Sequence, residues 1–196
     1  MRVLILGCGA LGSHVVYCGR NLINYFGVID FDRVEMKNLL SQWFVKQSVG
    51  KNKAAAIKMQ VLNFYGSTPT IEAYPVRYNK DNLNLVNTYD FVVDCFDNAE
   101  SRELTKQAVL RYPRFDPDDW LLHAGLSADG TLGRVAWDRF FNIDQEDTKG
   151  QATCENGEFL PLIIKTASIV VQALEEKVKR NRITNYTILP NEIKTF

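Results

Sequence analysis

Three glycines with a defined spacing are the first residues of this chain that could do chemistry. Gly7, Gly9 and Gly12 form the pattern GxGxxG between an apolar run and a helical pattern. Glycines in this setting let the backbone approach phosphate groups at a helix N-terminus. Asp30 ends the next apolar run, where a carboxylate can bind ribose hydroxyls. The pair predicts an adenosine-type ligand; NAD, or a tight turn that only aids helix packing, are the alternatives.

The residues after Asp30 distinguish the chain from a dehydrogenase. They read DFDRVE over 30–35, NLLSQ over 38–42 and VGKNKA over 49–54, and hydride transfer needs none of them. A second acidic strand end is predicted at Asp94, within VVDCFDN over 92–98. Proteins usually hold Mg²⁺ through one or two carboxylates together with phosphate oxygens. Asp94 is therefore a candidate ligand for magnesium bound to a triphosphate.

An alternation of strands and helices is needed to bring these residues to one edge of a sheet. The apolar runs predict strands over 3–6, 27–29, 70–76, 90–95, 120–124, 132–137 and 183–189. Helical spacing predicts helices over 11–26, 51–64, 99–112 and 161–180, with Gly27 ending the first. This order predicts an α/β fold, a Rossmann-like doubly wound sheet that is mostly parallel, within one domain over 1–196.

The C-terminal part of the sheet is predicted to be antiparallel. Asp129-Gly130 separates two strand candidates and is a strong signal for a two-residue hairpin. The polar stretch over 142–157 is predicted to be a surface loop.

Composition excludes several classes of function. Lys plus Arg and Asp plus Glu each total 23, so the basic surface of a nucleic-acid binder is not expected. Four separated cysteines are too few for a disulfide scaffold, and no signal peptide or membrane-spanning run is evident. We expect a cytoplasmic protein with neither nucleic acid nor membrane as a partner.

Taken together, the ordered motifs resemble the ThiF-type family, which comprises ubiquitin-activating enzymes and the thiamine- and molybdopterin-biosynthesis adenylyltransferases. The resemblance covers nearly the whole chain. It rests on the glycine loop, DxDxV with NLxxQ, GxxKA, VVDxxDN continuing to Arg102, and a late Cys154 followed by Gly157 and the helix at Pro161.

The resemblance implies that the C-terminal glycine carboxylate of a small ubiquitin-like or sulfur-carrier protein, one ending in Gly-Gly, attacks the α-phosphorus of ATP. Pyrophosphate leaves and an acyl-adenylate forms. ATP and Mg²⁺ are the implied cofactors, and a homodimer, or a heterodimer with a related subunit, is the implied assembly. Relatives often hold zinc through two CxxC pairs, which this chain lacks, so no zinc is expected.

The family's site residues carry over position by position. The three glycines would cradle ATP. The remaining implied roles are ribose binding by Asp30, phosphate orientation by Asn38 and Gln42, charge compensation at the phosphates by Lys53, and magnesium binding by Asp94.

Each role has a plainer alternative. Lys53 could be a solvated lysine, Asn38 and Gln42 surface amides, and Asp94 a helix cap, although Asp97 is the better cap candidate. Arg102 could pair with a carboxylate of the fold. We expect structural roles for the two histidines, His14 and His123.

Two features depart from the family or extend it. Ser41 stands where the family usually has an arginine facing the phosphates, and a hydroxyl cannot replace a planar cation. The first strand is also expected to start at residue 2, without the N-terminal helix of many relatives. A catalytically degenerate partner subunit is thus one alternative function, and an NAD-dependent oxidoreductase is another.

Cys154 aligns with the position where some relatives form a persulfide or acyl intermediate, and is either such a thiol or a plain surface cysteine.

Overall fold

One mixed sheet organises the protein in this computed structural model, which describes residues 1–111, 119–138, 157 and 159–196. Its strand order is β3-β2-β1-β4-β5-β6-β7-β8. The pairings among β1 to β5 are parallel, and those from β5 to β8 are antiparallel. The strands are β1 Arg2–Leu6, β2 Tyr25–Ile29, β3 Thr70–Tyr74, β4 Phe91–Asp94, β5 Leu121–Leu126, β6 Gly133–Trp137, β7 Tyr186–Ile188 and β8 Ile193–Thr195. The predicted α/β architecture is confirmed.

Four α-helices lie between these strands. They are α1 Ala10–Gly19, α2 Lys53–Tyr65, α3 Ala99–Arg111 and α4 Leu160–Arg180. Short 3₁₀ helices span Met36–Leu40, Lys46–Ser48 and Leu83–Thr88. Pro161 lies in the first turn of α4, where its missing amide hydrogen costs no helical hydrogen bond. Among the described residues, no helix combines the length and apolar composition that a bilayer span requires.

Apolar side chains cover both faces of the central strand. Val3 and Ile5 belong to one buried cluster together with residues of α1 and α4. Leu4 and Leu6 belong to a second cluster on the opposite face, with Tyr89 and others. Burial on both faces is the physical reason that β1 reads as an unbroken apolar run.

The first helix is shorter than predicted, because Gly27 is not its cap. Helix α1 ends at Gly19, and Gly27 lies in the middle of β2. A Cβ atom at Gly27 would overlap the ring of Tyr89, so glycine is required here by close packing.

The β5–β6 connection and the C-terminal strand also differ from prediction. Asp129 and Gly130 lie within a longer connection over 127–132, in which the Gly130 amide donates to the Ser127 carbonyl. The predicted two-residue hairpin is therefore wrong, although the antiparallel pairing is correct. Strand β8 was not predicted. Of the predicted loop over 142–157, residues 142–156, with Cys154, lie outside the described residues.

Candidate functional site

The glycine loop connects β1 to α1 at the carboxyl edge of the sheet. Gly7 has a positive φ of 87°, and a Cβ at Gly12 would overlap the Gly7 carbonyl oxygen. The helix therefore starts directly against the turn, and only glycine fits at Gly12. A Cβ at Gly9 would meet no atom within 4 Å among the described residues, so the space in front of this glycine is open.

The start of α1 can accept an anion. Gly9 occupies the N-cap position, and no side chain of the described residues caps the helix there. The first amide groups of a helix have no intrahelical partner, and the helix dipole favours negative charge at this end. The loop thus fits a phosphate group both sterically and electrostatically.

Asp30 is tied to the glycine loop. Its Oδ2 accepts a hydrogen bond of 2.7 Å from the Cys8 amide, and its Oδ1 accepts one of 2.8 Å from the Asp32 amide. Burial raises the pKa of Asp30 above its ordinary value, although the Lys53 ammonium opposes the shift. Each carboxylate oxygen can accept a further hydrogen bond, so the predicted contact with a ribose hydroxyl fits this arrangement.

Lys53 is a buried lysine and not a solvated one. Only 8% of it is exposed, and its Nζ lies 3.3 Å from Asp32 Oδ2. Its amide also donates to the Asp32 carbonyl. The side chain of Asn52 caps α2 and donates to the carbonyls of Asp30 and Asp32. These contacts bring Lys53 and Asp30 together, as the motif spacing predicts.

The amides of the 38–42 segment are held differently from each other. Asn38 is buried, and its Oδ1 accepts a 2.8 Å hydrogen bond from the Glu35 amide, so it is not a surface amide. Gln42 Oε1 is buried with no hydrogen-bond partner in the described part of the chain. A buried acceptor without a donor is costly unless a ligand or water supplies one. The surface-amide alternative therefore does not describe this oxygen, which needs a donor group on a ligand or a water.

Ser41 does not face solvent. It is 1% exposed, and its backbone carbonyl lies 3.2 Å from His14 Nε2 on α1. Burial lowers the pKa of His14 below its ordinary value. His14 therefore attaches this segment to α1 as a neutral imidazole, in keeping with a structural role.

Asp94 lies at the end of β4, as predicted, but it is completely buried. Its Oδ2 is 2.7 Å from His123 Nδ1 and 3.6 Å from Arg102 Nη1, and its Oδ1 accepts a hydrogen bond from the Phe96 amide. Although burial raises the pKa of Asp94, Arg102 and His123 hold it below its ordinary value. Arg102 thus pairs with a carboxylate of the fold, which is the alternative that the sequence offered for it.

Neither aspartate of this segment caps helix α3. The capping residue is Asn98, whose Oδ1 accepts a hydrogen bond from the Ser101 amide. Asp97 is exposed in the turn that precedes the helix. The solvent-accessible carboxylate of VVDCFDN is therefore Asp97, a residue to which sequence reasoning assigned only a capping role.

The partnership of Asp94 with His123 was also missed. His123 interrupts the apolar run of β5 and is fully buried, and the β4–β5 register places it directly beside Asp94. A histidine inside an apolar strand that neighbours an acidic strand end was the available signal.

The predicted residues thus form two groups on either side of β1. Asp30 and Lys53 follow β2, whereas Asp94 is the last residue of β4. Strands are spaced about 4.8 Å apart, so the ends of β2 and β4 are separated by roughly 10 Å with the glycine loop between them. Within the described residues, no three His, Cys, Asp or Glu side chains are grouped so that they could hold a metal ion. A magnesium ion here would need phosphate oxygens as additional ligands.

Comparison with known proteins identifies a family model and sequence relatives. The sequence model of the ThiF family matches residues 1–177. The sulfur carrier protein adenylyltransferase of Thermus thermophilus is 37% identical over 113 residues, which is 55% of this chain and 41% of that protein. The adenylyltransferase and sulfurtransferase MOCS3 of Danio rerio is 32% identical over 112 residues, 56% of this chain and 24% of the relative.

The chain therefore spans less than half the length of these curated relatives. Among solved structures, E. coli MccB with ATP superimposes with a TM-score of 0.72 at 21% identity, over 100% of this chain and 62% of that one. This similarity supports the fold.

Proposed function

Because the chain belongs to the ThiF family, we propose that it adenylates the C-terminal glycine carboxylate of a small ubiquitin-like or sulfur-carrier protein at the expense of ATP. The observation that carries the proposal is the convergence of three features at one sheet edge. They are an open glycine loop at a helix N-terminus, Asp30 bound to that loop, and the buried ammonium of Lys53 beside Asp30.

Each feature has a function in nucleotide binding. The amides of the α1 N-terminus bind phosphate oxygens, and Asp30 binds the ribose. Gln42 Oε1, which has no donor among the described residues, accepts a hydrogen bond from the ligand or from a water bound to it. Asn38 fixes the segment that carries Gln42, through its hydrogen bond to Glu35.

Lys53 supplies the positive charge for nucleotidyl transfer. Catalysis of such transfers comes mainly from positioning and from neutralising charge on the phosphates. Lys53 forms an ion pair with Asp32, and its ammonium can move from that carboxylate to a phosphate oxygen. Magnesium bound together with the nucleotide would add to this charge neutralisation.

Magnesium would be held at the end of β4. Asp94 was the predicted ligand, but its role would require Asp94 to exchange one of its protein partners for the metal, since both of its oxygens have hydrogen-bond donors. Asp97 is exposed, and its Oδ1 accepts a long hydrogen bond of 3.5 Å from Asn98 Nδ2, so it can bind a metal with less rearrangement. We propose that Asp97 binds the metal directly and that Asp94 supports the turn that carries it.

A second candidate function is that of a partner subunit that binds ATP without catalysing transfer. The observation that favours it is Ser41, which is buried and supplies no cation to the phosphates. In this function the chain would contribute binding surface to an active relative, in a heterodimer. The adenylating function instead predicts a homodimer or a heterodimer in which the chain itself turns over ATP. A third alternative, an NAD-dependent oxidoreductase, finds support only in the glycine loop and Asp30.

Exchange of radiolabelled pyrophosphate into ATP distinguishes these functions. Adenylation predicts exchange that depends on a carrier protein ending in Gly-Gly and that is absent when the last glycine is deleted. ATP binding without exchange, tested against a panel of such carriers, would support the partner-subunit function. Binding of NAD but not ATP would contradict both.

A further inference from the structure

Buried and partly buried charges connect β4, β5, α3 and the residue after β6. His123 Nδ1 lies 2.7 Å from Asp94, and its Nε2 lies 2.8 Å from Asp138 Oδ1. Helix α3 contributes two cations: Arg102 lies 3.6 Å from Asp94, and Lys106 lies 3.9 Å from Asp138. When each nitrogen of an imidazole faces a carboxylate, both nitrogens can donate a hydrogen bond only if the ring is a protonated imidazolium.

The arrangement is more than packing requires. Burying ions is expensive, and apolar side chains of similar volume often give equal or greater stability. His123 and Asp94 are both fully buried, and the Arg102 side chain is 7% exposed. Because burying these charges is unfavourable, their presence indicates that they hold neighbouring groups in a defined geometry.

The group that they hold in place is bound to the other carboxylate oxygen of Asp94. Asp94 Oδ1 accepts the Phe96 amide at 3.0 Å and so fixes the turn over 95–98. This turn packs against the glycine loop: a Cβ built on Gly7 would lie 3.1 Å from the Phe96 ring and 3.3 Å from the Cys95 carbonyl oxygen. The Cys95 amide donates to the Leu6 carbonyl, immediately before Gly7. Any shift of the turn is therefore transmitted to the loop.

We propose that His123 is a positioning residue for nucleotide binding: it orients Asp94, and through Asp94 it fixes the 95–98 turn that supports the Gly7 loop and carries Asp97. This inference rests on the proposed function, because the loop is taken to bind ATP. His123 itself touches neither phosphate nor metal in this role.

Two substitutions separate positioning from general stability. His123→Leu removes both hydrogen bonds, whereas His123→Asn keeps a donor near the position of Nδ1 that faces Asp94. The matched control is Thr184→Val, which removes a buried hydroxyl that donates to Glu176 on α4, away from β4. Hydrogen exchange of the Phe96 amide and the ATP dissociation constant, with and without magnesium, are measured for each folded variant.

In His123→Leu, the protection of the Phe96 amide should fall about tenfold or more and the ATP dissociation constant should rise by about the same factor, as is common when supporting partners of a site are lost. His123→Asn should stay within about 1.5-fold of the wild type, and Thr184→Val should change neither quantity. Unchanged Phe96 protection and ATP affinity in a folded His123→Leu variant would overturn the inference.

If His123→Leu does not fold, Asp138→Ala provides the test, since it removes the second carboxylate and leaves Asp94 its imidazole. A loss of Phe96 protection of about threefold is then expected, and no loss would contradict the inference. The proposed function fails separately, if the wild-type protein binds no ATP. In that case Phe96 exchange alone decides whether His123 positions the turn.

Discussion

The ammonium of Lys53 and the carboxylate of Asp32 lie 3.3 Å apart, and the amide of the same lysine donates to the carbonyl of the same aspartate. Asp32 thus fixes both ends of Lys53, which explains how a lysine at the start of a helix can be 8% exposed. Sequence reasoning gave Asp32 no catalytic part. Its contacts hold Lys53 next to the proposed phosphate site.

Replacing Lys53 should abolish most of the proposed activity but should lower the stability only slightly. Lys53→Met removes a preorganised charge, and the loss of one such group typically lowers the rate about 10²–10³-fold. The measurement is carrier-dependent pyrophosphate exchange. Lys58→Met is the matched control, because Lys58 is exposed on the same helix. Equal activity of the two variants would exclude the proposed role of Lys53.

Gly9 and Gly12 should respond oppositely to alanine. A methyl group at Gly12 would overlap the Gly7 carbonyl, so Gly12→Ala should lose about 3 kcal/mol of folding stability. A methyl group at Gly9 meets open space, so Gly9→Ala should fold normally and bind ATP about tenfold or more weakly, because the methyl occupies the phosphate position.

Denaturant unfolding and calorimetric titration with ATP measure these two effects. An unchanged ATP affinity in folded Gly9→Ala would show that the phosphates bind elsewhere. The pair is informative because both glycines belong to the same GxGxxG motif. Gly9→Ala tests ATP binding, and Gly12→Ala is its control for stability.

The order of elements could be predicted from sequence because it depends on local patterns. Buried strands such as β1 are unbroken apolar runs, and the glycine loop follows one of them. Gly27 was misinterpreted because its small size is needed for Tyr89, a residue 62 positions later that no local pattern connects to it. Strand β8 was missed for a similar reason: it is short and exposed, and pairing with β7 alone defines it.

The site was predictable to the same extent. Asn52 and Asp32 hold Asp30 and Lys53 together, and Glu35 holds Asn38 within the same continuous segment, so these contacts are local in sequence. Asp94 was placed correctly at its strand end, but its burial depends on His123, which arrives on the adjacent strand from 29 residues further along the chain. The spacing of motifs does not predict which charged residues pair when they lie far apart in the sequence.

Substitutions at Asp94 and Asp97 should therefore have different consequences. Asp94→Ala removes the buried carboxylate that faces both Arg102 and His123, although Asp138 still pairs with His123. Breaking a buried ion pair typically costs about 3–5 kcal/mol. Asp97→Asn alters an exposed side chain and should change the stability by less than about 0.5 kcal/mol.

Pyrophosphate exchange at limiting magnesium should fall about tenfold or more in Asp97→Asn and should recover in part when magnesium is raised. Unfolding by denaturant checks the stability of both variants. Full activity of Asp97→Asn together with a folded, inactive Asp94→Ala would return the magnesium role to Asp94.

Stability should depend on pH through His123 in a direction that can be stated in advance. Burial alone would lower the pKa of His123, but its hydrogen bonds to Asp138 and Asp94 raise it above its ordinary value. A group whose pKa is raised by folding contributes its full stabilisation below the unfolded pKa of about 6.5 and loses it as pH rises through the folded pKa. The free-energy difference between wild type and His123→Asn should accordingly be largest near pH 6 and shrink at alkaline pH. Urea unfolding of both proteins from pH 6 to pH 9 measures it, and a difference that grows with pH would show that the imidazole is neutral in the folded protein.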